Sequence, residues 1–270
     1  MRTVSNNLHK LLLSFAALLA LSFSAGAQFT DCSSGLLQMP SADMQEECTL
    51  MVTTNFLNKH MLPTDGWNYN TIGYGFDITF WSRLEITYSM TVFNGRWRPE
   101  DPSTLTERER IILNQDRHFN VKVQILKEGD FASWVPSLAV GIIDPPMGGK
   151  TKWLVISHEN GNDYFNRLYV AASKHFQTHI GDIGAHVAYL YNERKGYPLN
   201  GPAVGVTWNP KWLNGTNDYL SSFRVIAEYD ARTFNMGVVA SIWKDYFDVM
   251  LDLQNFRWFS GGVRFKLVLK

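Results

Sequence analysis

Three side chains have the types that nucleophilic catalysis uses. Ser173 and His175 lie two positions apart in Tyr169-Val170-Ala171-Ala172-Ser173-Lys174-His175, and His186 follows on the next segment. In an extended chain Ser173 and His175 share one face. A serine hydrolase needs a serine, an imidazole and an acid converging at one point. No activating motif surrounds Ser173, so no catalytic residue is assigned and a non-enzymatic protein is expected. Gly148-Gly149-Lys150-Thr151 resembles the end of a phosphate-binding loop, but that motif needs a glycine five positions before Gly149. Asp144 stands there instead. The two cysteines, Cys32 and Cys48, lack metal-site spacing, and neither a zinc-protease helix motif nor a calcium-loop motif occurs. No cofactor or metal is therefore expected.

The elements around these residues are strands. From Ile72 to Phe80, Ile72, Tyr74, Phe76, Ile78 and Phe80 occupy alternate positions, with Gly73, Gly75, Asp77 and Thr79 between them. Trp81-Ser82 interrupts the run. Leu84, Ile86, Tyr88, Met90 and Val92 then resume the period against Glu85, Thr87 and Ser89. This alternation predicts a hairpin with one apolar and one polar face. Its arms are about ten residues or longer, the length of a tilted strand crossing a hydrocarbon core. The unit recurs along the chain. Strands are expected over Thr49–Leu57, Gln115–Lys127, Trp134–Ile143, Asn166–Phe176, Gly181–Tyr191, Gly201–Trp208, Phe223–Asp230, Phe234–Trp243, Tyr246–Gln254 and Gly261–Lys270. With the hairpin they make about twelve, an even number, which predicts an all-β, antiparallel up-and-down transmembrane β-barrel. A soluble ligand-binding barrel or β-sandwich is the structural alternative. The long connection after Phe93 carries Thr104 followed by Glu107, a capping box that predicts a short helix over Ser103–Leu113.

Composition fits the barrel. The 270 residues are 45% hydrophobic and 14% aromatic, with 25 basic and 25 acidic residues. Zero net charge suggests neither nucleic acid nor an acidic partner. Residues 1–27 read as a cleaved signal peptide: Arg2, His9 and Lys10, an apolar run from Leu11 to Ser24, then Ala25-Gly26-Ala27. Residues 28–48 do not alternate and are read as a periplasmic tail or a plug segment at the barrel mouth; residues 49–270 form the barrel. In an exported chain Cys32 and Cys48 are expected to form a disulfide. With the N-terminus in the periplasm, the short turns fall on the periplasmic side and the long connections Asn94–Asn114 and Asp144–Phe165 outside, the asymmetry expected of an outer-membrane barrel. The longish Asn209–Ser221 connection is the exception.

If the apolar rows face lipid, Arg83, Glu85, His118, Lys122, Arg224, Glu228, Asp248, Asp252, Arg264 and Lys266 face the lumen. They form either a stiffening set of cross-strand ion pairs or a hydrophilic passage for a polar molecule. Trp97, Trp153, Trp208 and Trp212 sit in loops or at strand ends; interfacial anchoring is expected of those at strand ends, with stacking on sugars as the alternative.

Several stretches, in order, resemble the YjbH-like family of outer-membrane proteins. They are Gly35-Leu36-Leu37-Gln38-Met39-Pro40-Ser41-Ala42, Asp116-Arg117-His118-Phe119-Asn120-Val121-Lys122, Val135-Pro136-Ser137-Leu138-Ala139-Val140-Gly141-Ile142-Ile143-Asp144 and Tyr169-Val170-Ala171-Ala172-Ser173-Lys174. The resemblance runs from Gly35 to Tyr191, and the chain looks like a compact version of larger members. It implies a barrel in the outer membrane of a Gram-negative bacterium that assists exopolysaccharide or capsule export or surface assembly. Its partners would be outer-membrane lipids, polysaccharide and export-machinery proteins, and no catalytic residue carries over. A passive channel or structural barrel is the alternative, and a lipid- or glycan-modifying enzyme a further one.

Overall fold

The computed structural model describes residues 28–63, 68–96, 111–146, 164–193, 200–214 and 219–269. Twelve strands occur in chain order: β1 (Thr49–Leu57), β2 (Thr71–Phe80), β3 (Leu84–Arg96), β4 (Ile111–Leu126), β5 (Ser137–Ile143), β6 (Arg167–Thr178), β7 (Gly181–Tyr191), β8 (Gly201–Pro210), β9 (Leu220–Tyr229), β10 (Phe234–Ile242), β11 (Phe247–Gln254) and β12 (Trp258–Val268). Each pairs antiparallel with its sequence neighbours, and β1 pairs with β12, closing the barrel. Closure leaves no strand edge unpaired, which a sheet needs if it is to sit in hydrocarbon.

The direction of the alternation decides between a membrane barrel and a soluble one. Along β1, Thr49, Met51, Thr53, Asn55 and Leu57 are buried, while Val52 and Phe56 are exposed. On β7, Val187 and Tyr189 are 54% and 53% exposed, and His186 between them and Ser173 is 2% exposed. Polar groups point in and apolar groups point out, the reverse of a soluble barrel and the pattern a lipid solvent requires. At the short-turn end Trp81, Phe131, Trp134, Trp212, Tyr219 and Trp243 are all exposed. They form an aromatic belt at the level where amphipathic rings favour the membrane interface. Trp208 and Trp212 meet edge to face there, with ring centroids 5.4 Å apart.

Several expectations change. Arg83 lies in the turn between β2 and β3, not on the inner face; its side chain is 45% exposed and pairs with Asp130 of the adjacent turn at 3.0 Å. The tight two-residue hairpin, with Trp81 and Ser82 both at positive φ, ends the strand before Arg83 can turn inward. The cysteines are free. Cys32 packs beside Gly75 of β2, whereas Cys48 is exposed and its N–H bonds to Thr79 of the same strand. Four residues at a rise of about 3.4 Å separate those two levels, well beyond the roughly 7 Å Cα limit for a bridge. Residues 111–113 are strand rather than the end of a helix; the rest of that helical expectation lies outside the described residues. So do the signal peptide, Gly148–Thr151, Trp97 and Trp153. Among the described residues helical structure is confined to two 3-10 turns, Lys59–Met61 and Lys211–Leu213.

Residues 28–42 lie inside the barrel, almost all fully buried. A tight hairpin, Gly35 bridged to Pro40 with Leu36 N–H bonded to Met39 C=O, forms the tip. Phe29, Leu36, Leu37 and Met39 pack on Leu57, Met61, Tyr169, Ala188, Leu190, Ala203, Ile226, Val239 and Met250 of the wall and its rim. One wall position is glycine because the plug needs the room: a Cβ at Gly205 would collide with Leu36 and crowd Met39. Gly205→Val is therefore expected to lower stability by about 1–3 kcal/mol through overpacking. Most of that loss should be recovered by adding Leu36→Ala, which a urea titration of the detergent-folded protein measures as a double-mutant coupling.

Candidate functional site

An irregular segment inside a barrel carries backbone donors and acceptors that the strand ladder cannot satisfy, and leaving them unpaired is costly. The inward side chains of the strands supply the partners. Glu228 of β9 accepts hydrogen bonds from the backbone N–H groups of Leu37 (3.0 Å), Gln38 (2.7 Å) and Met39 (3.3 Å), so one carboxylate caps the hairpin tip. Asn235 of β10 donates to the same carboxylate at 3.1 Å. On the opposite wall Glu85 of β3 accepts from Ser34 N–H at 2.8 Å and from the Ser34 hydroxyl. Lys122, its direct cross-strand partner on β4, lies 3.5 Å from Glu85 and donates to the Ser34 carbonyl at 3.0 Å.

A buried ionic contact joins plug to wall. Arg167 at the start of β6 pairs with Asp31 at 2.8 Å, and both side chains are buried. The Asp31 carbonyl accepts from Ser89 and from Asn120, the latter at 2.9 Å. His118 stacks on Phe165, with ring centroids 4.6 Å apart, and faces Asp31 at 3.8 Å. Asn55 donates to the Phe29 carbonyl at 2.7 Å, and Gln124 to the Ala42 carbonyl at 2.6 Å. Cys32 is enclosed in this network; burial, with the charge of Asp31, pushes its thiol up to about 12.

A second inward cluster braces the wall itself. Asp248 of β11 and Arg264 of β12 are direct cross-strand partners and are joined at 2.7 Å through the Arg264 Nε. Lys266 lies 3.2 Å from Asp248 and 3.0 Å from Asp245. Asp252 is buried further along β11. Arg224 is half-buried on β9 and donates to Asn209 at 3.1 Å. Nine of the ten charged residues assigned to the lumen thus lie on the inner side, and Arg83 does not. Reading the strands alone overlooked Asp31, Asp43 and Arg167. Asp31 and Asp43 belong to the non-alternating leader, where no period marks a partner. Arg167 sits at the first position of its strand.

Ser173, His175 and His186 do come together, at the short-turn mouth. Ser173 and His186 are direct cross-strand partners on β6 and β7, with Ser173 Oγ 2.9 Å from His186 Nδ1. His186 Nε2 faces Thr207 Oγ1 at 3.2 Å. The acid, Asp43 of the plug, lies 3.7 Å from the same Nδ1 that faces the serine. A hydrolytic triad needs serine and acid on opposite ring nitrogens, so this geometry is not that of a triad. Ser173 also accepts the Ala42 N–H at 2.9 Å, a positional role for the plug. His175 Nδ1 lies 3.0 Å from Glu128 in the β4–β5 connection, and its Nε2 lies 3.8 Å from Asp43. Burial alone would raise the Asp43 carboxyl, but His186, His175 and Arg224 outweigh it and hold it below the ordinary carboxylate range. Glu128 is likewise lowered: burial opposes, and hydrogen bonds from Lys174 and His175 prevail.

If the Asp31–Arg167 pair anchors the plug, breaking it exposes the cost of an uncompensated buried charge. Asp31→Ala is expected to destabilise the fold by about 3–5 kcal/mol, and pairing it with Arg167→Met should recover most of that. The temperature at which the compact, unboiled gel band disappears measures both.

Comparison with known proteins gives one family and a set of distant barrels. The family model described as exopolysaccharide biosynthesis protein YbjH matches residues 31–186, more than half of the chain. Those residues include the plug from Asp31 onward and the wall through His186. Solved structures that match include two variants of a porin from Rhodopseudomonas blastica. One is 14% identical with a TM-score of 0.31, covering 73% of this chain and 55% of the porin. The other, a triple mutant, is 12% identical with a TM-score of 0.32, covering 92% and 68%. This chain thus spans little more than half of the first porin. No curated protein matches the chain.

Proposed function

The chain belongs to the YjbH family, and from that premise we propose that it is a non-enzymatic, plugged barrel of the Gram-negative outer membrane that assists exopolysaccharide or capsule export or surface assembly. A cleaved signal peptide delivers it, the short-turn end faces the periplasm, and the long connections face outward. The observation that carries this reading is the plug. Residues 28–42 occupy the lumen, with the Glu228 carboxylate on the hairpin tip and Asp31 paired to Arg167, and so obstruct an aqueous path. That favours an accessory or gated role over a passive small-solute channel. Polysaccharide and export-machinery proteins are the partners in this reading, meeting the barrel at its loops or after the plug is displaced.

Two measurements test the proposal together. Disrupting the chromosomal copy should lower cell-surface polysaccharide, with restoration by the intact gene. The purified wild-type protein in planar bilayers should show no steady conductance, and a variant lacking residues 28–42 should show discrete openings. Steady wild-type conductance with unchanged surface polysaccharide would instead identify a passive channel.

A further inference from the structure

The residues at the short-turn mouth have a use that plug anchoring alone does not explain. Asp43, His175 and His186 each present one donor atom, and the three atoms lie within 4.8 Å of one another. They come from three separate segments: the plug, β6 and β7. The hydrogen bonds around the two imidazoles orient their rings. Glu128 sits 3.0 Å from His175 Nδ1, so with the proton held there the Nε2 lone pair faces Asp43. Thr207 Oγ1 sits 3.2 Å from His186 Nε2, so with that nitrogen donating to the hydroxyl the Nδ1 lone pair accepts from Ser173 Oγ at 2.9 Å, with Asp43 Oδ2 3.7 Å from the same nitrogen. A carboxylate that holds the distal nitrogen of a ligating histidine is the usual outer support of a metal site. Imidazole nitrogens and a carboxylate oxygen brought this close favour a cation, either a proton or a metal ion, between them.

The spacing agrees. Donor atoms bound to one zinc at about 2.0–2.1 Å lie about 3.3 Å apart in tetrahedral geometry. The two observed separations from Asp43 Oδ2 are 3.8 Å to His175 Nε2 and 3.7 Å to His186 Nδ1, each about half an ångström beyond that spacing, and the two histidine donor atoms lie within 4.8 Å of each other, so the side chains must close in on an ion. Room for both rings comes from Gly184, directly opposite His175; a Cβ there would meet Thr207, His186 and His175. Side-chain exposure of 14% at Asp43 and 12% at His175 leaves an entry path from the mouth. Arg224 contributes positive charge near Asp43, and Glu128 and Asp182 offset it with negative charge.

We propose that Asp43, His175 and His186 form a binding site for a divalent transition metal of the zinc type, which staples the plug to the barrel wall. The chemistry of the set is two imidazole nitrogens and one carboxylate oxygen, with a fourth position for water, suited to Zn²⁺ or Co²⁺ and not to calcium or magnesium. On loading, the Ser173 hydroxyl gives up its hydrogen bond to His186 Nδ1 and the ion takes that lone pair. Glu128 is a positioning residue: it orients His175 and does not touch the ion.

The test uses the full, untagged, detergent-folded protein titrated with Co²⁺ alone and then with Zn²⁺ in competition. One Co²⁺ per chain should bind with the intense visible absorption of a tetrahedral site, and one equivalent of Zn²⁺ should bleach it. His186→Ala should abolish the band. Asp43→Asn should weaken binding at least about tenfold, and Glu128→Gln about 10–100-fold with the band shape retained. Unboiled gel mobility establishes that each variant is folded, and the partly exposed position of Glu128 at the turn keeps that variant informative if His186→Ala does not fold. Absence of the tetrahedral band in folded wild type, or equal Zn²⁺ binding by wild type and a folded His186→Ala, would overturn the site.

Discussion

The constraint on which this structure depends is the backbone of residues 28–42. A segment without strand partners, enclosed in a barrel, must find a hydrogen-bond partner for each buried N–H and C=O or leave them at a cost of about 1–3 kcal/mol each. The wall answers with charged and amide side chains at specific heights: Asn55 for Phe29, Ser89 and Asn120 for Asp31, Glu85 and Lys122 for Ser34, Glu228 for residues 37 to 39, and Ser173 with Gln124 for Ala42. The inner face is polar because the plug's backbone is polar, and it is apolar at Ile226, Val239 and Met250 where Leu36, Leu37 and Met39 press against it. Remove the plug and the side chains that satisfied its backbone lose those partners and line the lumen.

That dependence explains what sequence could and could not reveal. Strand number follows from a period of two in the strand segments, and the direction of the apolar face is decided by the burial of the alternate positions. The boundaries of β1 and β7 read from alternation coincide with those in the structure. Positions outside the period were harder. Arg83 continues the polar row of β3 in sequence but is carried out of the barrel by the tight turn before it. Cys32 and Cys48 are close in sequence, yet the plug folds one deep into the lumen and leaves the other at the rim. The leader has no period at all. Its three key acceptors and acids, the Asp31 carboxylate, the Asp31 carbonyl and Asp43, acquire meaning only once the strands bring Arg167, Asn120 and His186 to the same heights.

The cluster of Ser173, His175 and His186 shows how residue type can mislead about role. Their spacing suggests nucleophilic chemistry, and the barrel does place them in contact. The acid faces the wrong ring nitrogen for a triad, and Ser173 is committed to the plug backbone. What the imidazoles share is proximity to Asp43, at 3.8 Å from His175 and 3.7 Å from His186.

The most direct measurement of the central claim uses the two native thiols. In the folded protein Cys48 is exposed, whereas Cys32 is enclosed by the plug and wall and its thiol is held neutral by burial. A maleimide added to the membrane-embedded protein at neutral pH should label Cys48 promptly and spare Cys32 until the barrel is unfolded, giving one label per chain and then two. Labelling of Cys32 at the rate of Cys48 in the folded protein would contradict a plugged lumen, and the inward polar rows would then line open water.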